Sequence, residues 1–310
     1  MNTMSNVIVI VGPTCSGKTR LSLLLAERLN AEIISADSRQ VYKYLTIGTA
    51  KPNPEQVRNV KHYFIDELNP DEEFNADQFA NKAKEIIKNI FLSRKIAIVA
   101  GGSGLYIKAL IDGISVTVGS DKYLRNHLLD LRRNFGNEHL YNELKKIDPV
   151  SAMKMLPQNW KRVIRAIEVY KLTGKPIWQH FTENNSRTEF NFIQYGLRWD
   201  RKNLNENIER RVDEMISQGF LEEVRKILEM GYSKELNSLN TVGYKELIDF
   251  IENKITFEEA IHLIKRNTKR YAKRQMTWFK ADQRIKWFDI ESQMDLETIA
   301  ENIIKDFYEG

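Results

Sequence analysis

The chain has 310 residues, 42% apolar and 29% charged, a balance that can bury a core and excludes a disordered or fibrous chain. Its single cysteine excludes an intrachain disulfide and any multi-cysteine zinc module. No apolar stretch approaches membrane-spanning length and no N-terminal run has the order of a signal peptide. A cytoplasmic globular protein is expected, and its net charge of +5 suits a polyanionic partner.

In chain order, Val7 to Val11 reads as a buried strand, and Leu21, Leu25 and Leu29 follow at helical spacing. Between them Gly12-Pro13-Thr14-Cys15-Ser16-Gly17-Lys18-Thr19 matches the phosphate-binding pattern G-x-x-x-x-G-K-[ST]. Such a turn gathers backbone N–H groups at the positive end of a helix, so it suits a di- or triphosphate, including that of ATP. Lys18 is placed for the terminal phosphates and the Thr19 hydroxyl for Mg²⁺.

Ala31 to Ala36 reads as a second strand ending at Asp37-Ser38-Arg39-Gln40, at the edge where open α/β sheets bind ligands. Asp37 reads either as a helix cap or turn residue or as a group facing the phosphate loop. Residues 75–93 have the spacing of an amphipathic helix. Ile96 to Ala100 is a further strand, running into Gly101-Gly102-Ser103-Gly104 and a helix from Leu105. No aspartate ends that strand, which argues against a motor-type ATPase.

Residues 121–182 read as wholly helical: Tyr123 to Arg133, Glu138 to Lys146, then Asn159 to Leu172 stopped by Gly174 and Pro176. Phe192 to Leu197 returns as a strand. Beyond it come helices from Leu204 to Gln218, from Phe220 to Glu229 and from Phe257 to Lys280, with Trp287 and Phe288 as packing residues in the tail. The expected architecture is α/β: a parallel sheet of the phosphate-loop NTPase kind over residues 1–118 and 189–310, with helices at its C-terminal end. A helical subdomain is inserted at 119–188.

The last long helix is basic. Arg266, Arg270, Arg274 and Trp278 fall at four-residue steps on one face, as an RNA backbone with unstacked bases would require. A solvated face usually mixes both signs, and here acids are few. Lys161, Arg162 and Arg165 form a second basic group in the insertion.

These pieces resemble the bacterial tRNA dimethylallyltransferases, the isopentenyl-transfer family. The likeness rests on the phosphate loop and on Asp37-Ser38-Arg39-Gln40-Val41-Tyr42, Gly101-Gly102-Ser103-Gly104-Leu105-Tyr106 and Lys161-Arg162-Val163-Ile164-Arg165-Ala166. It extends to Val242-Gly243-Tyr244-Lys245-Glu246 and Tyr271-Ala272-Lys273-Arg274-Gln275-Met276-Thr277-Trp278. The resemblance implies transfer of a dimethylallyl group from its diphosphate to N6 of the adenosine 3′-adjacent to the anticodon. The partner is the tRNA anticodon stem-loop and the cofactor Mg²⁺, and the enzyme is expected to be a monomer.

It further implies that Asp37 is the general base and that Ser103 and Arg125 contact the site, while residues 12–19 hold the diphosphate. The tRNA would meet Asp37, Ser38, Arg39 and Gln40; Lys161, Arg162, Val163, Ile164 and Arg165; Asn240, Thr241, Val242, Gly243, Tyr244 and Lys245; and Lys273, Arg274, Gln275, Trp278 and Lys280. Cys15 stands where the family usually has alanine, Ser103 where threonine is common, and Lys161 where glutamine is common. From its place at a helix N-terminus near Lys18, Cys15 reads as a reactive thiolate if its sulfur is open to solvent, or else as a packing residue in place of alanine. Two other classes fit the phosphate loop alone: a small-molecule kinase, and a non-catalytic RNA-binding module.

Overall fold

The computed structural model describes residues 5–113, 119, 121–183, 189–292 and 294–309. The chain divides into two compact units, Met1–Ile111 with Thr188–Gly310, and Asp112–Arg187.

The first unit is built on strands β1 (Ser5–Val11), β2 (Ala31–Ser35), β3 (His62–Tyr63), β4 (Ile96–Gly101), β5 (Phe190–Trp199) and β6 (Lys286–Ile290). They form one six-stranded sheet in the order β3-β2-β4-β1-β5-β6, every pair parallel. Parallel strands need crossover helices on their faces, so the central strand is covered on both sides. That explains the unbroken apolar run Val7–Val11, which is wholly buried.

Helix α1 (Lys18–Leu29) lays Leu21, Leu25 and Leu29 on this sheet, and α2 (Pro54–Asn59) precedes β3. Helix α3 (Ala76–Leu92) buries Phe79, Ala83, Ile87 and Ile90, the face its spacing predicts. An Asn75 cap bonded to Asp77 N and Gln78 N starts that helix. Phe79 stacks on Tyr106 of α4 (Gly104–Asp112), 4.9 Å between ring centres.

The second unit has helices and no strand among its described residues: α5 (Lys122–Ile147), α6 (Pro149–Ala152), a short 3₁₀ turn, α7 (Trp160–Thr173) and α8 (Ile177–Glu183). Helix α5 breaks at Gly136 (φ 82°), which separates the two helices read from the sequence. Its core comprises Leu128, Leu140, Leu144, Val163, Ile164 and Ile167.

Back in the first unit come α9 (Arg201–Ser217), α10 (Phe220–Glu229), α11 (Tyr244–Ile251), α12 (Phe257–Lys280) and α13 (Asp295–Glu309). The tail is more than packing material. Residues Lys286–Ile290 add the sixth strand alongside Tyr195–Trp199, and α13 seals the sheet through Leu296, Ile299 and Ile303. That strand is only five residues long and carries Lys286 and Asp289, so no apolar pattern announces it.

Candidate active site

Parallel pairing brings the C-terminal ends of β1, β2 and β4 to one edge of the sheet, and each leads into a turn there. From β1 the chain enters the phosphate loop. Gly17 (φ 95°) starts α1 without any side-chain cap, leaving first-turn N–H groups open to an anion. Cys15 is also left-handed, at φ 62°. The Ser16 hydroxyl is buried and has no hydrogen-bond partner among the described residues. Lys18 Nζ donates to Pro13 O at 2.6 Å, and desolvation lowers its pKa from 10.5 to about 8. Thr19 is exposed on the same cavity, its hydroxyl without a protein partner among the described residues.

The ends of β2 and β4 form the second part of the site. A side chain at Gly101 would collide with the Ala36 carbonyl, so glycine lets the two turns touch. Ser103 N donates to Ala36 O at 3.1 Å, and Ser103 Oγ accepts from Ser38 N at 3.0 Å. Asp37 Oδ1 accepts from Arg39 N at 2.8 Å and Gln40 N at 3.3 Å. The turn role read for Asp37 is therefore real, yet it occupies one oxygen only. Oδ2 has no hydrogen-bond partner among the described residues, and Asp37 lines the cavities on both of its sides.

Helix α12 lies across these turns. The Gln275 carboxamide accepts from Thr14 N at 2.8 Å and donates to Gly102 O at 2.9 Å. One turn further on, the Trp278 ring lies so close over Gly104 that no side chain fits there.

Two cavities result. One, of about 440 Å³, is lined by Thr14 to Arg20 with Asp37, Lys51, Gly102, Arg210 and Arg211. The other, of about 330 Å³, is lined by Ser38, Arg39, Asn240, Thr241, Lys245 and Arg274 among others. Thr14, Cys15, Asp37, Thr49, Arg211 and Tyr271 belong to both, so the cavities share a wall.

A family model described as IPP transferase matches residues 40–282. The tRNA dimethylallyltransferase of Alkaliphilus oremlandii is 46% identical over 302 residues, spanning 97% of this chain and 96% of that protein. The chain belongs to the IPP transferase family. A tRNA dimethylallyltransferase of Acetivibrio thermocellus is likewise 46% identical, with 97% and 96% covered. In structure the chain is similar to the full-length tRNA isopentenylpyrophosphate transferase of Bacillus halodurans, with a TM-score of 0.72 and 37% identity. That match covers 98% of this chain and 97% of that one. A eukaryotic dimethylallyltransferase acting on tRNA gives a TM-score of 0.77 at 29% identity, covering 92% and 74%.

In this IPP transferase several residues read as tRNA contacts are placed otherwise. Val163 and Ile164 are core residues of the helical unit, their side chains turned inward because they carry the apolar face of α7. Tyr244 is wholly buried and donates to Glu223 Oε1 at 2.6 Å. Gln275 is buried and spent on Thr14 and Gly102. Within the helical unit Arg165 pairs with the buried Glu168 at 2.8 Å, and Arg125 lies 3.7 Å from the same carboxylate. Lys161 and Arg162 are exposed.

The reading of Cys15 as a thiolate is also corrected. Cys15 packs against the buried cluster of Leu204, Ile208 and Ala272. Burial pushes the thiol's pKa up from 9.0, outweighing Arg211 and Lys18, which pull it down.

The basic helix is less one-sided than it reads. Lys265 pairs with Asp213 at 2.6 Å and Lys269 with Glu209, both acids lying on α9. Arg266, Arg270 and Arg274 have no ion pair among the described residues.

Sequence reasoning missed α9's contribution to the phosphate side, Arg210 and Arg211. A signal existed, since Arg211 falls three and seven residues after the buried Ile208 and Leu204, next to the helix's inward stripe.

Proposed function

We propose that this chain transfers the dimethylallyl group of dimethylallyl diphosphate to N6 of the adenosine 3′-adjacent to the anticodon in tRNA, giving N6-(dimethylallyl)adenosine. The observation that carries the reading is the shared wall. A phosphate-binding cavity and a cavity lined by the Asn240–Lys245 segment and Arg274 meet at Asp37.

The donor's diphosphate lies in the phosphate loop and the target base enters from the other side. As the allylic carbon–oxygen bond breaks, its electron pair goes to the diphosphate. The loop N–H groups, Lys18 and Arg211 face that growing charge. The N6 lone pair forms the new carbon–nitrogen bond, and the proton lost from N6 passes to Asp37 Oδ2. Ser103 and the Ser38 and Arg39 amides fix the carboxylate's turn. Unstacking the base is least costly in a loop, which favours an anticodon loop over a duplex.

Mg²⁺ fits the residues present. Among the described residues no group of three acidic, histidine or cysteine side chains could hold an ion unaided. The free Thr19 hydroxyl, together with diphosphate oxygens and water, makes the oxygen-only ligand set this ion prefers. When bound, the ion neutralises charge on the leaving diphosphate. Arg266, Arg270, Arg274, Lys273, Trp278 and Lys280 contact the tRNA, as do Lys161, Arg162 and Arg165 of the helical unit, while Ser103 and Arg125 contact the reacting site. The enzyme acts as a monomer in the cytoplasm.

Incubation with tRNA, Mg²⁺ and labelled dimethylallyl diphosphate tests the reading, with label expected in tRNA and lost on chelation of Mg²⁺. ATP turnover with a small acceptor and no labelled tRNA would make the chain a kinase instead. Gel filtration at assay concentration checks the monomer.

A further inference from the structure

The loop from Thr46 to Lys51 walls both cavities. Thr49 lines each of them, Ala50 and Lys51 line the phosphate side, and Gly48 lines the other. It belongs to no strand or helix. Bonds from Ala50 N to Ile47 O and from Lys51 N to Thr46 O shape it from within, and side chains tie it to its surroundings.

One carboxylate does most of that. Glu223 of α10 accepts from Thr46 N at 3.0 Å and Ile47 N at 2.7 Å on Oε2, and from Gly48 N at 3.2 Å on Oε1. Three successive N–H groups converging on one point form an anion nest, here filled by the protein's own side chain. Oε1 also accepts from the Tyr244 hydroxyl at 2.6 Å. Burial and the nearby Glu223 hold that phenol well above its ordinary pKa, so it remains a donor.

The loop is pressed onto the same two helices. A side chain at Gly48 would collide with the rings of Phe220 and Tyr244, which stand edge to face. From the opposite side Gln40 Nε2 donates to Thr49 O at 3.1 Å and Ala50 O at 3.2 Å. Gln40 itself is in the turn that Asp37 closes. The loop thus spans from the Asp37 turn to the first residue of α11, which directly follows Asn240 to Gly243 on the wall of the second cavity.

We infer that Glu223 is a positioning residue for the transfer. It holds residues 46–51 as the common wall beside Asp37 and, through Tyr244, ties that wall to the segment where tRNA is proposed to bind. The inference rests on the function proposed above. Glu223 needs no contact with either substrate. Among the described residues its carboxylate is the one side chain that accepts from all three loop amides and from the phenol, so its loss loosens the loop's hold on α10 and α11 together.

Glu223→Gln keeps the shape but replaces one acceptor oxygen by a donor amide. At least one of the four donors then loses its partner. We expect a folded enzyme whose kcat/KM for tRNA falls by about 10- to 100-fold, the size of losing hydrogen bonds to a charged group. Tyr244→Phe removes one donor and leaves the nest, so a drop of about three- to tenfold is expected, in the tRNA parameters rather than in KM for the donor. Because both act through one carboxylate, the double variant should be no worse than Glu223→Gln alone.

The experiment measures label transfer over a grid of tRNA and donor concentrations. Circular dichroism melting and amide hydrogen exchange at residues 46–48 accompany it. A folded Glu223→Gln enzyme with wild-type kcat and KM values, or an additive double variant, overturns the inference. If Glu223→Gln does not fold, Tyr244→Phe decides alone, and unchanged tRNA parameters overturn it. A wild-type chain that transfers no label sinks the proposed function instead. Unchanged exchange protection at 46–48 in Glu223→Gln would then overturn the positioning role on its own.

Discussion

Gln275 and Thr14, 261 positions apart in the chain, are joined by a 2.8 Å hydrogen bond in which the glutamine carbonyl accepts from the backbone of the phosphate loop. The same carboxamide donates to Gly102 O, so one side chain of α12 spans both glycine-bearing turns of the site. Gln275→Ala leaves a loop N–H and a carbonyl unmatched, and should cost about 1–3 kcal/mol of stability, as buried unpaired groups do. It should also weaken donor binding. Urea unfolding and donor titration measure the two, and an unchanged midpoint would mean that water replaces the carboxamide.

Asp37 makes its turn with Oδ1, an atom that asparagine also supplies. Asp37→Asn should therefore keep the fold and the donor affinity. It removes the group that takes the N6 proton, and transfer should slow by about 10²–10⁴-fold. Single-turnover rates at saturating tRNA give the answer, and near-wild-type activity would leave Asp37 as a turn residue alone.

Arg274 lines the second cavity and has no ion pair among the described residues. Arg274→Ala should weaken tRNA binding and lower the slope of log K against log salt by about 0.7–0.9, one phosphate contact. Filter binding across a salt series measures this. A preserved slope with lost donor binding would place the guanidinium on the diphosphate.

Lys18 titrates at about 8 because its ammonium is desolvated. A bound diphosphate favours the charged form and must raise that value. Above pH 8 the free enzyme has largely lost this proton and the complex keeps it, so donor binding should take up a proton and weaken as pH rises. Calorimetry at pH 8.5 in two buffers of different ionisation enthalpy detects the uptake, and identical heats would contradict it.

Cys15 carries a thiol whose pKa is raised by burial. Its alkylation by iodoacetamide at pH 7 should be slower than that of an unhindered thiol. The rate should still be rising above pH 9, where a perturbed thiolate would already have levelled off. Mass spectrometry of the peptide against pH gives the profile.

The sequence alone carried whatever depends on near neighbours. The phosphate loop, the amphipathic stripe of α3 and the stop at Gly174 are written in residues a few positions apart, where helical period and turn chemistry act. The full span of α12, Phe257–Lys280, was legible for the same reason. Only the tertiary structure decided what lies between distant segments. Residue type makes Gln275 and Tyr244 as suitable for tRNA as for the interior. Gln275 was turned inward by the lie of α12 over the turns at Thr14 and Gly102, and Tyr244 by Phe220 and Glu223 of α10. Lys265 and Lys269 looked unopposed because their acids are on another helix. Cys15 looked activated by its helix terminus, yet desolvation by Leu204, Ile208 and Ala272 wins. A dipole and a nearby lysine can be read along the chain, whereas the apolar surface that removes water arrives from residues nearly 200 and more positions away.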